Sequence, residues 1–226
     1  MIVSDLDDPK LDPADAHHLD KVLRLHRGEA VGATDGRGGY LPCVYQGSGV
    51  LRPDGPVAHE APRTPTLTVG FAPVKGDRPD WAVQKLTELG VDRVVLFPTH
   101  RTVVRWQADR SAPHVERLRR VARSAVMQSR QCWLPHIDVL DGWRSLLVDA
   151  ADGGLALAQP GAPGICRGVH TVLVGPEGGW TPQELAEARS QVGLGEAVLR
   201  TETAAVAAGV LLGSLRAGLV SHRLGD

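Results

Sequence analysis

Aromatic side chains are scarce in this 226-residue chain: two Phe, two Tyr and five Trp, 4% in all. Lysine is scarce as well, with four Lys against 21 Arg. Three Cys, at positions 43, 132 and 166, form no CxxC pair. That spacing suggests neither a zinc ribbon nor a disulfide framework, and it points to a reducing compartment. No apolar run approaches the roughly 18–20 residues needed to span a bilayer. The start, MIVSDLDDPK, is acidic and lacks a long apolar core, so no signal peptide is expected. Nine scattered His show no HExxH-like spacing, so no metal site is expected. What is present is 42% apolar residues and a net charge of −1, too apolar and too neutral for a disordered chain.

The near-zero charge argues at first against a nucleic-acid partner, but it is an average over unlike parts. Residues 1–62 carry a net −4, residues 63–140 a net +6 and residues 141–226 a net −3. Within the middle part, residues 101–130 hold eight Arg against Asp109 and Glu116. Local clusters set the field that a phosphate meets, and the guanidinium fork suits phosphate. A solvated helix face and a compositional bias toward Arg explain the same cluster equally well on charge alone.

Turn signals punctuate residues 1–60: DGRGG at 35–39, GSG at 47–49 and RPDGP at 52–56. Short strands are expected at Ala30–Thr34, at Tyr40–Tyr45 and around Val57. A helix is expected over Asp12–Arg24, with Ala16, Leu19, Val22 and Leu23 on one face. This reads as a small, mostly β domain over residues 1–62. Pro62, Arg63, Thr64 and Pro65 form the linker.

From residue 66 strands and helices alternate. Strands are expected at Thr66–Ala72, Val91–Pro98, Pro135–Leu140, Gly154–Ala158, Thr171–Val174 and Val198–Leu199. Helices are expected at Asp80–Leu89, Pro113–Gln128, Trp143–Asp149, Thr181–Gln191 and Thr203–Leu219. Thr181, Pro182 and Glu184 make a capping box. Such alternation implies a parallel sheet covered by helices, here over residues 63–226.

Two segments carry candidate chemistry. Val172–Thr181 is a strand feeding a Gly-rich loop that opens a helix, where open parallel sheets bind ligands. It is neither a Walker A loop nor GxGxxG, and a plain tight turn fits it too. Leu194–Ala204 sets Arg200, Thr201, Glu202 and Thr203 ahead of an apolar helix. The two Thr are possible caps of that helix, and Arg200 and Glu202 are possible partners of each other.

Together the segments read GPEGGW-T followed by LG-x-x-VLR-TETA. This pattern resembles the C-terminal signature of the SPOUT methyltransferases, in the RsmE family, which methylates N3 of a uridine in 16S ribosomal RNA. Other motifs follow in family order. His17-His18-Leu19 with Val22-Leu23-Arg24 and Gly28 resembles the family's HH/VLR-x-x-x-G segment. Lys75–Arg78 resembles K-x-x-R, and Gln84–Val91 resembles QK-x-x-ELG(V). Gln128-Ser129-Arg130 with Pro135 resembles QS-x-R…P. The chain departs from the family in its acidic start, in Ser124-Ala125 for Glu-Ala and in Leu118 for a Trp.

The resemblance implies a PUA-like β-barrel over residues 1–62, an RNA-binding domain. It implies a SPOUT domain over residues 63–226, an α/β fold with a parallel sheet and a trefoil knot. It also implies a cytoplasmic homodimer with no metal and no membrane partner, acting on 16S rRNA within the small ribosomal subunit. S-adenosylmethionine would bind to three loops. The first holds Leu155, Ala156 and Leu157. The second holds Val174, Gly175, Pro176, Glu177, Gly178 and Gly179. The third holds Leu194, Gly195, Leu199, Arg200, Thr201, Thr203 and Ala204. Arg130 and Glu202 are the candidate catalytic residues. Lys21, Arg24, Arg27, Arg101, Arg105, Arg119, Arg123 and Arg130 are candidate RNA contacts, and Trp106 and Trp133 candidate stacking rings. Two alternatives remain at this point: the same chemistry on another RNA such as tRNA, and a non-catalytic RNA-binding assembly factor.

Overall fold

In the computed structural model, which describes residues 1–104, 106, 112–149 and 154–220, the chain forms two units. The first takes Met1–Arg63 and also Arg123–Leu134. The second takes Thr64–Ala122 and Pro135–Asp226.

The first unit is built on antiparallel strands β1 (Ala30–Thr34), β2 (Gly39–Gly47), β3 (Val50–Pro53) and β4 (Ala58–His59). The β1–β2 turn closes because the Asp35 carboxylate accepts from the N–H groups of Arg37 and Gly39 at 2.7 and 2.9 Å. Alternate residues of β2, namely Leu41, Cys43 and Tyr45, point into a core shared with Val3, Leu6, Leu19, Ala33 and Leu51. The expected single helix over Asp12–Arg24 is instead α1 (Pro13–His17), capped by Asp12, followed by a π-helical turn over His18–Val22. The wider turn shows in the 2.9 Å bond from the Leu23 N–H to the His18 carbonyl.

Residues 123–134 join this unit through bonds that local sequence does not announce. The Gly38 N–H donates to the Cys132 carbonyl, and the Leu134 N–H to that of Gly36. Arg123 donates to the Ile2 carbonyl at 2.8 Å and to the carboxylates of Asp12 and Asp15. An RNA role was expected for Arg123; the structure shows its guanidinium spent on holding the unit together.

The second unit is a six-stranded parallel sheet in the order β10-β8-β9-β5-β6-β7. Its strands are β5 (Thr68–Phe71), β6 (Arg93–Leu96), β7 (His136–Val139), β8 (Leu155–Ala158), β9 (Thr171–Val174) and β10 (Gln191–Val192). The continuous apolar runs of β5, β8 and β9 follow from burial on both faces. Val172 and Val174 enter one apolar cluster, while Leu173 between them enters the other. The helices are α2 (Arg78–Glu88), α3 (Ala112–Ser129), α4 (Ser145–Asp149), α5 (Pro182–Glu187) and α6 (Thr201–Arg216). Among the described residues no helix is long and apolar enough to cross a membrane.

Three expected elements differ. The helix read over Thr181–Gln191 stops at Glu187, and Ala188 turns extended. Gln191–Val192 then pairs with β8 as β10, a long-range choice that overrides local helical preference. Val198–Leu199 is no strand, because no neighbour offers it a ladder. The last helix starts at Thr201, two residues early.

Candidate active site

All six strands run parallel, but the order in which the chain adds them reverses between β9 and β5. From β5 the chain proceeds to β6 and β7, whereas β9 leads on to β10 at the opposite edge. Loops at the carboxyl ends of such strands splay apart and leave a crevice. A cleft of about 130 Å³ lies at the carboxyl ends of β8 and β9, bordered also by the segment 194–199 and the start of α6.

Its walls are fixed by long-range bonds. The Trp180 indole N–H donates to the Ala158 carbonyl at 3.1 Å, tying the Gly-rich loop to the end of β8. A Cβ on Gly175 would meet that indole at 3.1–3.3 Å, a tight contact that would press on the ring. The Thr201 hydroxyl donates to the Gly175 carbonyl at 3.1 Å and pins the first turn of α6 to the loop. Thr201 therefore does not cap its helix, and the N-cap is Arg200, without a side-chain bond. Gly179, at φ +68, turns back so that its N–H reaches the Pro176 carbonyl at 2.8 Å.

Behind the loop, Glu184 completes the capping box with Thr181 and accepts the His100 N–H at 3.1 Å. Burial alone would raise the pKa of this carboxyl. Bonds from the Thr181 and His100 backbone and the Thr181 hydroxyl outweigh it and hold the pKa below the ordinary value.

The structure sorts the expected donor-binding residues. Val174, Gly175, Pro176, Glu177 and Gly179 line the cleft, as do Leu194, Gly195, Leu199, Thr201 and Ala204. Leu155, Ala156 and Leu157 do not; they are buried within β8, and its continuation Ala158, Gln159 and Pro160 borders the cleft instead. Gly178, Arg200 and Thr203 are also off the lining. Ala197 and Val198, within the expected loop 194–204, line it as well, and so does Trp180, which was not anticipated. The adjacency of Trp180 to the GG pair was the one available signal.

Glu202 sits in the first turn of α6 and is 7% exposed. Its expected neighbour Arg200 is not its partner. Instead Arg78 stands 3.7 Å from Glu202 Oε1 and 3.7 Å from Glu177 Oε1. Both separations are ion pairs beyond hydrogen-bond length. The other oxygen, Oε2, is buried without any hydrogen-bond partner. A buried carboxylate oxygen lacking a donor is costly; Glu202 itself is off the cleft lining, between Thr201 and Ala204, which are on it.

The candidate RNA contacts divide as well. Arg101 donates to the carbonyls of Gly178 and Trp180 at 2.9 and 3.3 Å, so it braces the Gly-rich loop. Arg119 is exposed and paired with Glu116 one turn away. Arg105 and Arg110 lie outside the described residues. In the first unit Lys21, Arg24 and Arg27 are exposed, with Arg27 bonded to Gln46 at 3.3 Å. Arg130 also belongs to that unit. It is exposed, in the left-handed conformation at φ 55, and has no ion-pair partner among the described residues. Trp133 packs where a Cβ on Gly38 would fall, so its ring serves the fold. Among the described residues no cluster of His, Cys, Asp and Glu could hold a metal ion.

A parallel sheet with a cleft at the carboxyl ends of its strands, walled by a glycine loop, defines the class broadly, and comparison narrows it. Residues 61–213 match the family model of the RNA methyltransferase domain, which makes this chain a member of that class. A protein of Mycobacterium bovis, ribosomal RNA small subunit methyltransferase E, is 32% identical over 88% of this chain and 83% of its own length. The chain thus belongs to the ribosomal RNA small subunit methyltransferase E family. Two solved structures, each 27% identical, are similar to it. A probable rRNA methyltransferase of Porphyromonas gingivalis matches with TM-score 0.79 over 97% of this chain and 98% of its own. The family enzyme of Neisseria gonorrhoeae, bound to S-adenosyl methionine, matches with TM-score 0.75 over 95% and 96%.

Proposed function

We propose that this protein methylates N3 of a uridine in 16S rRNA of the small ribosomal subunit, with S-adenosylmethionine as donor. The observation that carries the reading is the orphan carboxylate oxygen of Glu202 beside the cleft that its neighbours Thr201 and Ala204 line. The cleft fits the donor. Val174, Leu194, Leu199 and Ala204 give it an apolar slot, Gly179 and Gly195 leave open space where a Cβ would stand, and Gln159 and Thr201 supply polar atoms. When bound, S-adenosylmethionine supplies an electrophilic methyl group. Uracil N3 becomes a nucleophile only once its proton is gone. Glu202 Oε2 accepts that proton, and Arg78 holds the carboxylate in place. Arg130, exposed in the first unit and without an ion-pair partner among the described residues, leaves its guanidinium available to an RNA anion.

The finer architecture belongs to the same reading. We take the first unit as a PUA-like barrel that contacts RNA through Lys21, Arg24 and Arg27, with Arg119 contributing from the second unit. We take the segment from β8 to α6 as a SPOUT trefoil knot; the placement of β10 outside β8 supports it. The working form is a cytoplasmic homodimer.

The test is transfer of labelled methyl to small subunits that lack the mark. Label at N3 of a 16S uridine is the expected result. Label in bulk tRNA alone would redirect the reading to tRNA, and no label with no donor binding would favour an assembly factor. A second prediction concerns the loop. Gly179→Val forces a β-branched residue into the left-handed region, which costs any L side chain about 1–2 kcal/mol and a β-branched one more. Calorimetry should show donor affinity at least about tenfold weaker, since a tenfold change corresponds to about 1.4 kcal/mol. Unchanged affinity would remove the loop from the donor site.

A further inference from the structure

Beside the donor cleft lies a second one that the reaction has not used. It has a volume of about 260 Å³ between the loop that follows β5 and the start of α3, and its lining shares no residue with the donor cleft. One wall is aromatic. The Trp106 indole packs against the apolar core, and the His114 imidazole stacks on it at 4.3 Å with the planes 8° apart. His114 is exposed, so one face of its ring rests on Trp106 and the other remains open to a third ring.

The lining also holds two cations, Lys75 and Arg117, among apolar residues. Lys75 is exposed and has no ion-pair partner among the described residues. Arg117, one helical turn after His114, is paired with Asp80, with its Nε 2.7 Å from Oδ2. The single carboxylate in the lining is thereby neutralised. A stacking platform next to free positive charge is the chemistry that holds a nucleotide, base on the ring and phosphate on the cation.

We propose that this pocket holds one nucleotide of the substrate RNA, splayed from the stack, next to the methylated uridine. The inference rests on the RNA-methylating reading above. A flanking nucleotide fits better than the target. The target base must reach Glu202, which does not line this pocket, whereas Pro79 and Asp80 of its wall directly follow Arg78, the partner of Glu202. Arg78 thus joins the two sites through consecutive residues of one chain segment.

Two measurements test it. In the first, uridine 5′-monophosphate is titrated into the full chain while the His114 imidazole proton resonance is followed, assigned by its loss in His114→Ala. A shift with the nucleotide, and little shift with ribose 5-phosphate, is expected. Equal shifts would make this a phosphate site only, and no shift at millimolar nucleotide would overturn the pocket. This arm needs no methyl transfer, so it stands or falls apart from the proposed reaction. In the second, His114→Ala should raise KM for small subunits about tenfold, with kcat and donor affinity within threefold. Loss of one stacked base is worth about 1–3 kcal/mol, and tenfold corresponds to about 1.4. His114→Phe should restore KM. A fall in kcat at constant KM would mean that the pocket holds the reacting base, and an unchanged KM would mean that it holds nothing.

Discussion

Replacing Glu202 with Gln is expected to lower kcat by about 10²–10⁴-fold, the usual worth of a positioned proton acceptor. Donor affinity should stay within twofold, because Glu202 lies beside the cleft and not on its lining. The substitution is nearly isosteric, so the effect on folding is small. Oε2 has no hydrogen bond to lose, and the pairing with Arg78 at 3.7 Å is too long to be one. The amide removes the negative charge and the ability to take a proton while leaving the packing of the first turn of α6 intact. Single-turnover transfer of labelled methyl, read beside calorimetry with the donor, separates chemistry from binding. A kcat within threefold of the wild type would assign the proton to another group. Reduced donor affinity with unchanged chemistry would make Glu202 a wall residue of the cleft.

The largest expected effect on stability comes from Asp92→Ala, which should destabilise the second unit by about 3–5 kcal/mol. Asp92 Oδ2 accepts the Leu67 N–H at 2.8 Å and the Arg216 guanidinium. Arg216, at the end of α6, also donates to the carbonyls of Pro65 and Gly90 at 3.2 and 2.6 Å. The two side chains are only 11% and 21% exposed. Removing the carboxylate leaves a largely buried cation unpaired and a backbone N–H at the entry to β5 without its acceptor. Breaking one side of such a pair costs far more than the pair contributes in net terms. Thermal unfolding should fall by roughly 6–20 °C for a domain of this size. Asp92→Asn, which keeps an acceptor for the Leu67 N–H, should lie between the variant and the wild type. If Asp92→Ala shifts the midpoint by less than 2 °C, this corner does not hold α6 to the sheet.

Particular residues show how far local pattern reaches. The runs at Thr68–Phe71 and Thr171–Val174 are legible because strands buried on both faces need unbroken apolar sequence. The Thr181–Glu184 capping box is legible because its two partners lie three residues apart. Thr201, expected at the donor site and found on the cleft lining, shows the converse limit. A threonine before a helix resembles a cap, yet its bond goes to Gly175, 26 residues away. Arg101 and Arg123 were read as phosphate ligands from charge density alone. Their acceptors, the Gly178 and Ile2 carbonyls, lie 77 and 121 residues away. No spacing rule encodes a partner at that separation.

The opening scarcities keep their meaning in the fold. With few aromatic residues, those present do specific work: Trp180 stacks on Phe97 and ties the Gly-rich loop to β8, Trp143 meets its edge, and Trp106 carries His114. With few lysines, the unpaired Lys75 stands out in a pocket whose other strong cation is already neutralised.

By itself the sequence determined the alternation of strands and helices, the turn-rich first 60 residues and the glycine loop, since each rests on dihedral preference or on burial repeating every two or 3.6 residues. It also carried the family motifs. Tertiary structure alone decided that residues 123–134 return to the first unit, that Arg78 and not Arg200 faces Glu202, and which arginines remain free for RNA. Those outcomes depend on where distant backbone carbonyls and carboxylates come to rest, and burial makes each of them demand a partner.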